Sequence, residues 1–291
     1  MPSDRDLLAD NVRRHGRALA GAVSTLARPV HTTRQLRRGW PAMRESFAEQ
    51  RVSRTSLNRP VGSDRRLAVI RGDLAQAKLV GHMHAATVND VLMAAIAGGL
   101  RELLAGRGEQ VDELVLRAFI PVSLHHEQPG QPRANLDGAM FVPLQVGVPD
   151  PVRRLELIAA DTAERKKKAR PSGGALLPGR SVQRVALRLL ARQRFMSVYA
   201  ANVPGPPVPL YFAGARLLEV FPVVPIMANV TLGIGALTYA GQFNIAVVAD
   251  RDTCPDIDVF VHGMQDTLQD LTASLLVGEP RQPTPRRSLA R

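Results

Sequence analysis

The stretch TVNDVLMAAIAGGLRELLA, residues 87–105, decides the fold because it is the clearest helix in the chain. Its apolar side chains recur every three or four residues, which places them on one helical face packed on a core. Thr87 followed by Asp90 is typical of a capping box, with Asp in place of the usual Glu or Gln. The members of the apolar face are Val88, Val91, Leu92, Ala95, Ile96, Leu100 and Leu103.

Strands and further helices are predicted around this helix. The predicted strands cover residues 66–71, 114–124, 137–148, 195–202, 210–220, 226–236 and 238–249, with Ala240-Gly241 as a hairpin turn. The predicted helices cover residues 74–82, 151–168, 181–193 and 256–276, and Asp150 is the N-cap of the second. Strands that alternate with helices, followed by a run of strands, predict an α/β fold with a mixed sheet flanked by helices.

Composition divides the chain into three regions. Residues 1–58 are predicted to form a basic helical connector, and residues 59–277 an α/β domain. The proline- and arginine-rich tail, residues 278–291, is predicted to be disordered. Fourteen arginines face six acidic residues in segment 1–66, so much of the charge lies near the start of the chain.

The composition also limits the classes of function. The net charge is +12, which favours anionic ligands and surfaces, yet only four of the basic residues are lysines. An arginine bias of this kind is weak support for a nucleic-acid partner, and the aromatic content of 4% leaves few stacking platforms. Cys254 is the single cysteine, which excludes an intrachain disulfide and a cysteine metal cluster. No apolar run reaches the length of a membrane span, and we expect a cytoplasmic protein without a metal site.

Three motifs in fixed order resemble the C-terminal half of the wax ester synthase/diacylglycerol acyltransferase family. They are TSLNRPVG at residues 55–62, ATVNDV at residues 86–91, and NVPGP at residues 202–206 leading into LYFAGA at residues 210–215. Weaker matches are IPVSL at residues 120–124, Asp150-Pro151 and Asp250. Each motif alone is loose, whereas the ordered set is specific and covers residues 5–275.

The resemblance implies one half of a CoA-dependent acyltransferase fold, in which two similar α/β halves enclose a channel. Members of the family transfer an acyl group from acyl-CoA to a fatty alcohol or diacylglycerol. Acyl-CoA is a substrate there, and no other cofactor is implied. The base is the second histidine of a His-His-x-x-x-Asp-Gly motif in the N-terminal half, which deprotonates the acceptor hydroxyl.

This sequence departs from the family at that motif. His125 and His126 are the only adjacent histidines, and Gly130-Gln131 stands where the motif requires Asp-Gly. The pair also follows the strand predicted at residues 114–124, which is not the strand that precedes the histidine motif in the family. We therefore expect two ordinary loop histidines, no catalytic base among these residues, and no ester synthesis by the chain alone.

Four residues are candidates for substrate binding: Asn89, Asp90, Asn202 and Gly205. Asn89 and Asp90 match the family's Asn-Asp pair and could line the channel, although the simpler explanation is that they cap the helix start, and both roles can hold at once. Asn202 ends a strand before a proline-locked turn, where its amide could meet a substrate carbonyl. The alternative is a plain strand-ending turn to which Gly205 gives backbone freedom.

The partners implied are an N-terminal half carrying the histidine motif, acyl-CoA, a lipid acceptor, and the surface of a membrane or lipid droplet. The basic run at residues 165–170 would suit CoA phosphates or an anionic membrane, or simply end a solvated helix. Two alternative functions stay open. One is a non-catalytic protein that binds lipid or acyl-CoA, and the other is a basic scaffold associated with nucleic acid.

Overall fold

A six-stranded mixed sheet organises the computed structural model, which describes residues 53–123, 137–168, 193 and 195–277. The strands are β1 (Arg65–Asp73), β2 (Val115–Ser123), β3 (Asp137–Gln145), β4 (Val198–Val203), β7 (Leu232–Tyr239) and β8 (Gln242–Asp250), and a separate hairpin holds β5 (Tyr211–Phe212) and β6 (Ala215–Arg216). The strand order in the sheet is β1-β8-β7-β4-β2-β3. The pairs β7–β4 and β4–β2 are parallel and the other three are antiparallel, so the predicted mixed sheet is confirmed.

In the described part of the chain, four helices share one hydrophobic core with one face of this sheet. They are α1 (Leu74–Met83), α2 (Val88–Gly106), α3 (Pro151–Lys168) and α4 (Ile257–Val277). Alternate strand residues supply the sheet side of the core, as side chains alternate between the two faces of a strand. On β4 these are Val198 and Ala200, whose paired neighbours on β7, Leu232 and Ile234, are also fully buried.

Helix α2 is the centre of the core. Its capping box is confirmed, because the Thr87 side chain accepts from the Asp90 N–H while the Asp90 carboxylate accepts from the Thr87 N–H. The expectation of a single apolar face was too narrow, since Met93, Ala94 and Ala97 are fully buried too. Neighbours on several sides explain this, and α4 approaches so closely that a Cβ at Gly99 would lie 2.5 Å from the Phe260 carbonyl oxygen.

The hairpin between β7 and β8 forms as predicted. Ala240 and Gly241 both have positive φ angles, 45° and 88°, as a two-residue turn of the primed type requires. Asp150 also caps α3, because its carboxylate accepts from the backbone N–H groups of Val152 and Arg153.

The predicted strands at residues 210–220 and 226–236 were wrong in extent. Positive φ angles at Ala213 and Gly214 fold the first segment into the short β5–β6 hairpin. In the second, the Val230 N–H closes a turn on the Met227 carbonyl oxygen, and the strand begins only at Leu232. Apolar composition alone predicts a strand in both places and contains no information on these turns.

The motif at residues 55–62 packs on the α/β domain. Leu57 is fully buried, and its carbonyl oxygen accepts from the Thr231 hydroxyl at 3.0 Å. The Ser56 hydroxyl accepts from Arg107, and the Gly62 N–H donates to Asp250 at 2.7 Å. Most of the predicted connector, residues 181–192 of the helix predicted at 181–193, and the predicted tail 278–291 lie outside the described residues.

Candidate functional site

The start of α2 lies toward the end of the sheet at which β1, β4 and β7 finish. The other end of α2 is fixed by Arg107, which binds the Asp256 carboxylate at 2.8 Å and the Thr253 carbonyl oxygen at 3.1 Å. Both partners follow β8, whose last residues pair with the first residues of β1 and β7. Asn89 and Asp90 therefore share the opposite end of the sheet with Asn202, the penultimate residue of β4.

Asp90 combines a structural role with an unpaired oxygen. Its Oδ2 accepts from the Thr87 N–H at 2.8 Å and from the Thr87 hydroxyl at 2.6 Å. Its Oδ1 is buried, and no donor in the described part of the chain reaches it. Helix capping thus accounts for only one of the two Asp90 carboxylate oxygens. Asn89 lies in the same first turn of α2 and is half-buried.

Asn202 faces the helix-covered side of the sheet. It alternates with Val198 and Ala200 along β4 and pairs with the fully buried Ala236 of β7. The Asn202 Oδ1 is buried, and within the described ranges it has no hydrogen-bond partner. An unpaired buried amide oxygen costs about 1–3 kcal/mol, so a side chain left in this state is a candidate for contact with a ligand.

Gly205 allows the turn after β4 to lie against β7. Its N–H donates to the Thr238 hydroxyl at 3.1 Å, and a Cβ at this position would lie 2.1 Å from the Thr238 carbonyl oxygen. Close backbone approach, rather than a positive φ, therefore explains the glycine. The prediction that Gly205 itself binds substrate stays a prediction.

His84 is a residue near this site that the sequence analysis passed over. It ends α1, three residues before the α2 cap, and its Nε2 is buried without a partner in the part of the chain described. The only available signal was its position beside the ATVNDV motif. The adjacent pair His125-His126 is the more conspicuous histidine pattern in the sequence, and it lies outside the described residues.

Three further candidates are a cysteine, the basic run and a metal site. Cys254 is fully buried, and desolvation raises the pKa of its thiol to about 12, which excludes a thiolate nucleophile. Of the basic run, Arg165 pairs with Asp161 at 2.5 Å, and residues 169–170 lie outside the described residues. Among the described residues, no group of three His, Cys, Asp or Glu side chains could hold a metal ion.

Two family models match the chain. Residues 2–92 match the wax ester synthase/diacylglycerol acyltransferase catalytic domain, and residues 134–272 match the WS/DGAT C-terminal domain. The chain belongs to the wax ester synthase/diacylglycerol acyltransferase family. The first match contains Asn89 and Asp90, and the second contains Asn202 and Gly205.

Named relatives agree with this family. A putative diacylglycerol O-acyltransferase of Mycobacterium tuberculosis is 31% identical over 228 residues, which cover 75% of this chain and 45% of the relative. A probable diacylglycerol O-acyltransferase of the same organism, tgs1, is 30% identical over 80% of this chain and 51% of its own length. The chain thus spans about half the length of these curated relatives.

Solved structures support the same fold. The wax ester synthase/diacylglycerol acyltransferase from Marinobacter aquaeolei VT8 aligns with a TM-score of 0.61 and 25% identity, over 80% of this chain and 55% of that chain. A condensation domain of the enacyloxin polyketide synthase aligns with a TM-score of 0.51 at 14% identity, which shows likeness of fold alone. The predicted acyltransferase-like half fold is confirmed.

The described helices give no single membrane span. None is both long and apolar enough to cross a bilayer, and α1 and α2 meet the length and composition test only together, as a pair bent by 95°.

Proposed function

We propose that this chain forms the C-terminal half of an acyl-CoA-dependent O-acyltransferase that esterifies a fatty alcohol or diacylglycerol. The observation that carries the proposal is the match of both WS/DGAT family models, one at residues 2–92 and the other at residues 134–272. The relatives with which the chain aligns are described as diacylglycerol O-acyltransferases, which supports diacylglycerol as the acceptor.

In the proposed reaction, the acceptor hydroxyl oxygen attacks the thioester carbonyl carbon of acyl-CoA. A histidine of the His-His-x-x-x-Asp-Gly motif, on a segment outside these 291 residues, takes the hydroxyl proton. The resulting oxyanion collapses to the ester as the C–S bond breaks, and the CoA thiolate leaves and is protonated. The contribution of this chain is to bind and orient the reactants.

Asn202 is the residue to which we assign a part in this chemistry. Its carboxamide lies near the end of β4, and its buried Oδ1 lacks a partner in the described structure. The unpaired Oδ1 would accept a hydrogen bond from the bound substrate, and the NH₂ group of the same carboxamide would donate to the thioester oxygen as negative charge develops there. Asn89 and the unpaired Oδ1 of Asp90, at the same end of the sheet, would contact the bound substrate.

The first test concerns the purified chain alone. With acyl-CoA and either hexadecanol or diacylglycerol, we expect no ester, because the base is not among these residues. Ester formation that disappears in a His126→Ala variant would overturn this expectation. Acyl-CoA binding without turnover, even with an N-terminal half present, would instead identify a non-catalytic binding protein.

The second test restores the other half. The chain is co-expressed with the N-terminal half of the 31%-identical mycobacterial relative, and ester formation is measured. Asn202→Ala should lower kcat by about 100-fold, as loss of an oxyanion donor does, with little change in melting temperature. Gln269→Ala removes a carboxamide from an exposed position of α4 and is the matched control. A kcat within threefold of the parent for Asn202→Ala would refute the assigned role.

A further inference from the structure

The chain leaves the sheet between β4 and β7 and presents an apolar, exposed segment. We call residues 203–218 the apolar arm. Its single charged side chain is Arg216, and at its tip Tyr211 and Phe212 are 68% and 81% exposed. Other large apolar side chains exposed along the arm are Val203, Val208, Leu210 and Leu218. Contiguous apolar surface of this kind marks an interaction site.

The apolar arm is stiffened at its base. Tyr239, at the end of β7, binds both sides of the arm, because its hydroxyl accepts from the Leu210 N–H and donates to the Leu217 carbonyl oxygen, each at 2.8 Å. Four prolines also restrict the φ angles of the part of the arm that precedes its tip, at positions 204, 206, 207 and 209. A pre-ordered segment loses less conformational entropy on binding.

The segment that follows the arm is fixed to the sheet. Arg71 of β1 binds Glu219 through two contacts of 2.6 and 3.0 Å and lies over the Phe221 ring at 5.5 Å. Beyond it, Val224 and Ile226 pack on the second face of β7, where Gly233 leaves room for both. The protein therefore buries Val224 and Ile226 and leaves the apolar arm uncovered.

We infer that the apolar arm is the docking element for the N-terminal half of the acyltransferase, the half that carries the histidine motif. This inference rests on the proposed function. The arm leaves β4 directly after Asn202, so a partner seated on it would close over the end of the sheet that holds the candidate site. The mycobacterial relatives are about twice as long as the matched region, and the aligned region of the Marinobacter chain is 55% of that chain. A half of that size, outside the matched region, needs an apolar surface on which to pack, and the nearly uncharged arm provides one.

The test measures binding between the purified chain and the purified N-terminal half of the 31%-identical mycobacterial relative. The double variant Tyr211→Ser/Phe212→Ser should bind at least tenfold more weakly, since buried aromatic anchors dominate interfaces. Both side chains are exposed in the chain, so its circular dichroism spectrum and melting temperature should not change. Val259→Ser, on α4 near the other end of the sheet, removes a 41% exposed apolar side chain and is the control.

The outcomes separate this inference from the proposed function. Equal binding of the parent chain and the double variant overturns the docking role and leaves the proposed function standing. A parent chain that does not bind the N-terminal half overturns both. Binding of the parent to phosphatidylcholine vesicles that is lost in the double variant, with binding to the N-terminal half unchanged, identifies a lipid surface as the occupant. Self-association lost in the same way identifies a second copy of this chain.

Discussion

Replacing Asp250 with Ala should destabilise the chain strongly, because this buried carboxylate joins the start of the α/β domain to its last strand. Its Oδ1 accepts from the Gly62 N–H at 2.7 Å and from Arg65 at 3.3 Å, and its Oδ2 accepts from the Thr253 N–H at 3.0 Å. The side chain is 1% exposed. Alanine would leave the Gly62 and Thr253 N–H groups without these acceptors, and water has little access to replace them.

The expected loss follows from those contacts. A hydrogen bond to a charged group contributes about 1.5–3 kcal/mol, and removal of one partner of a buried ion pair costs about 3–5 kcal/mol. Because Arg65 is partly exposed, we expect a loss at the lower end of this range, about 3 kcal/mol in the free energy of unfolding. Urea denaturation at constant m value measures it. Asp252→Ala, at an exposed carboxylate two residues away, should stay within about 0.5 kcal/mol of the parent. A loss below about 1 kcal/mol for Asp250→Ala would refute the reasoning.

Three further predictions concern pH, packing and reactivity. Burial alone would raise the pKa of Asp250, but hydrogen bonds from Thr253 and Gly62 and the charge of Arg65 hold it below its ordinary value of 3.8. The stabilisation is therefore present above about pH 4 and lost as pH falls through the folded-state pKa, so melting temperatures should drop on acidification, and less steeply in Asp250→Asn. Gly205→Ala should lower the free energy of unfolding by about 1–3 kcal/mol, because its Cβ would meet the Thr238 carbonyl; an unchanged urea midpoint would contradict this. Cys254 should resist a thiol reagent at about pH 8 in the folded chain and react in guanidinium, and rapid labelling of the folded chain would show that the thiol is accessible.

The sequence predicts most of the helices and the sheet because their signals are local. The α2 cap needs only Thr87 and Asp90, and the β7–β8 turn needs only Ala240-Gly241, so both could be read directly. The close approach of α2 and α4 at Gly99 could not, since it depends on the Phe260 backbone far along the chain. The same limit explains the wrong extent of the strand predicted at 210–220.

The candidate site was predictable in part for a different reason. Asn89, Asp90 and Asn202 were selected by family resemblance, and sequence spacing gave no reason for them to share one end of the sheet. That placement follows from strand order and direction, with β4 parallel to β7 and β8 antiparallel to both β1 and β7. His84 carried no pattern that would have distinguished it from other helix-ending residues.

Hydrogen bonding separates the motif residues whose polar atoms are bound within the fold from those that keep a buried atom unpaired in the described part of the chain. In the TSLNRPVG motif, the backbone of Leu57 and Gly62 is bound by Thr231 and Asp250, so the domain itself explains these positions. Asn202 differs, because no contact within the described structure uses its buried Oδ1. The contacts that stabilise the TSLNRPVG motif therefore lie within this chain. In the NVPGP motif, by contrast, the Asn202 Oδ1 is unpaired among the described residues, and it lies directly before the uncovered apolar arm. Under the proposed function, the contacts that complete the site would come from the substrate and from the half that we infer to dock on the arm.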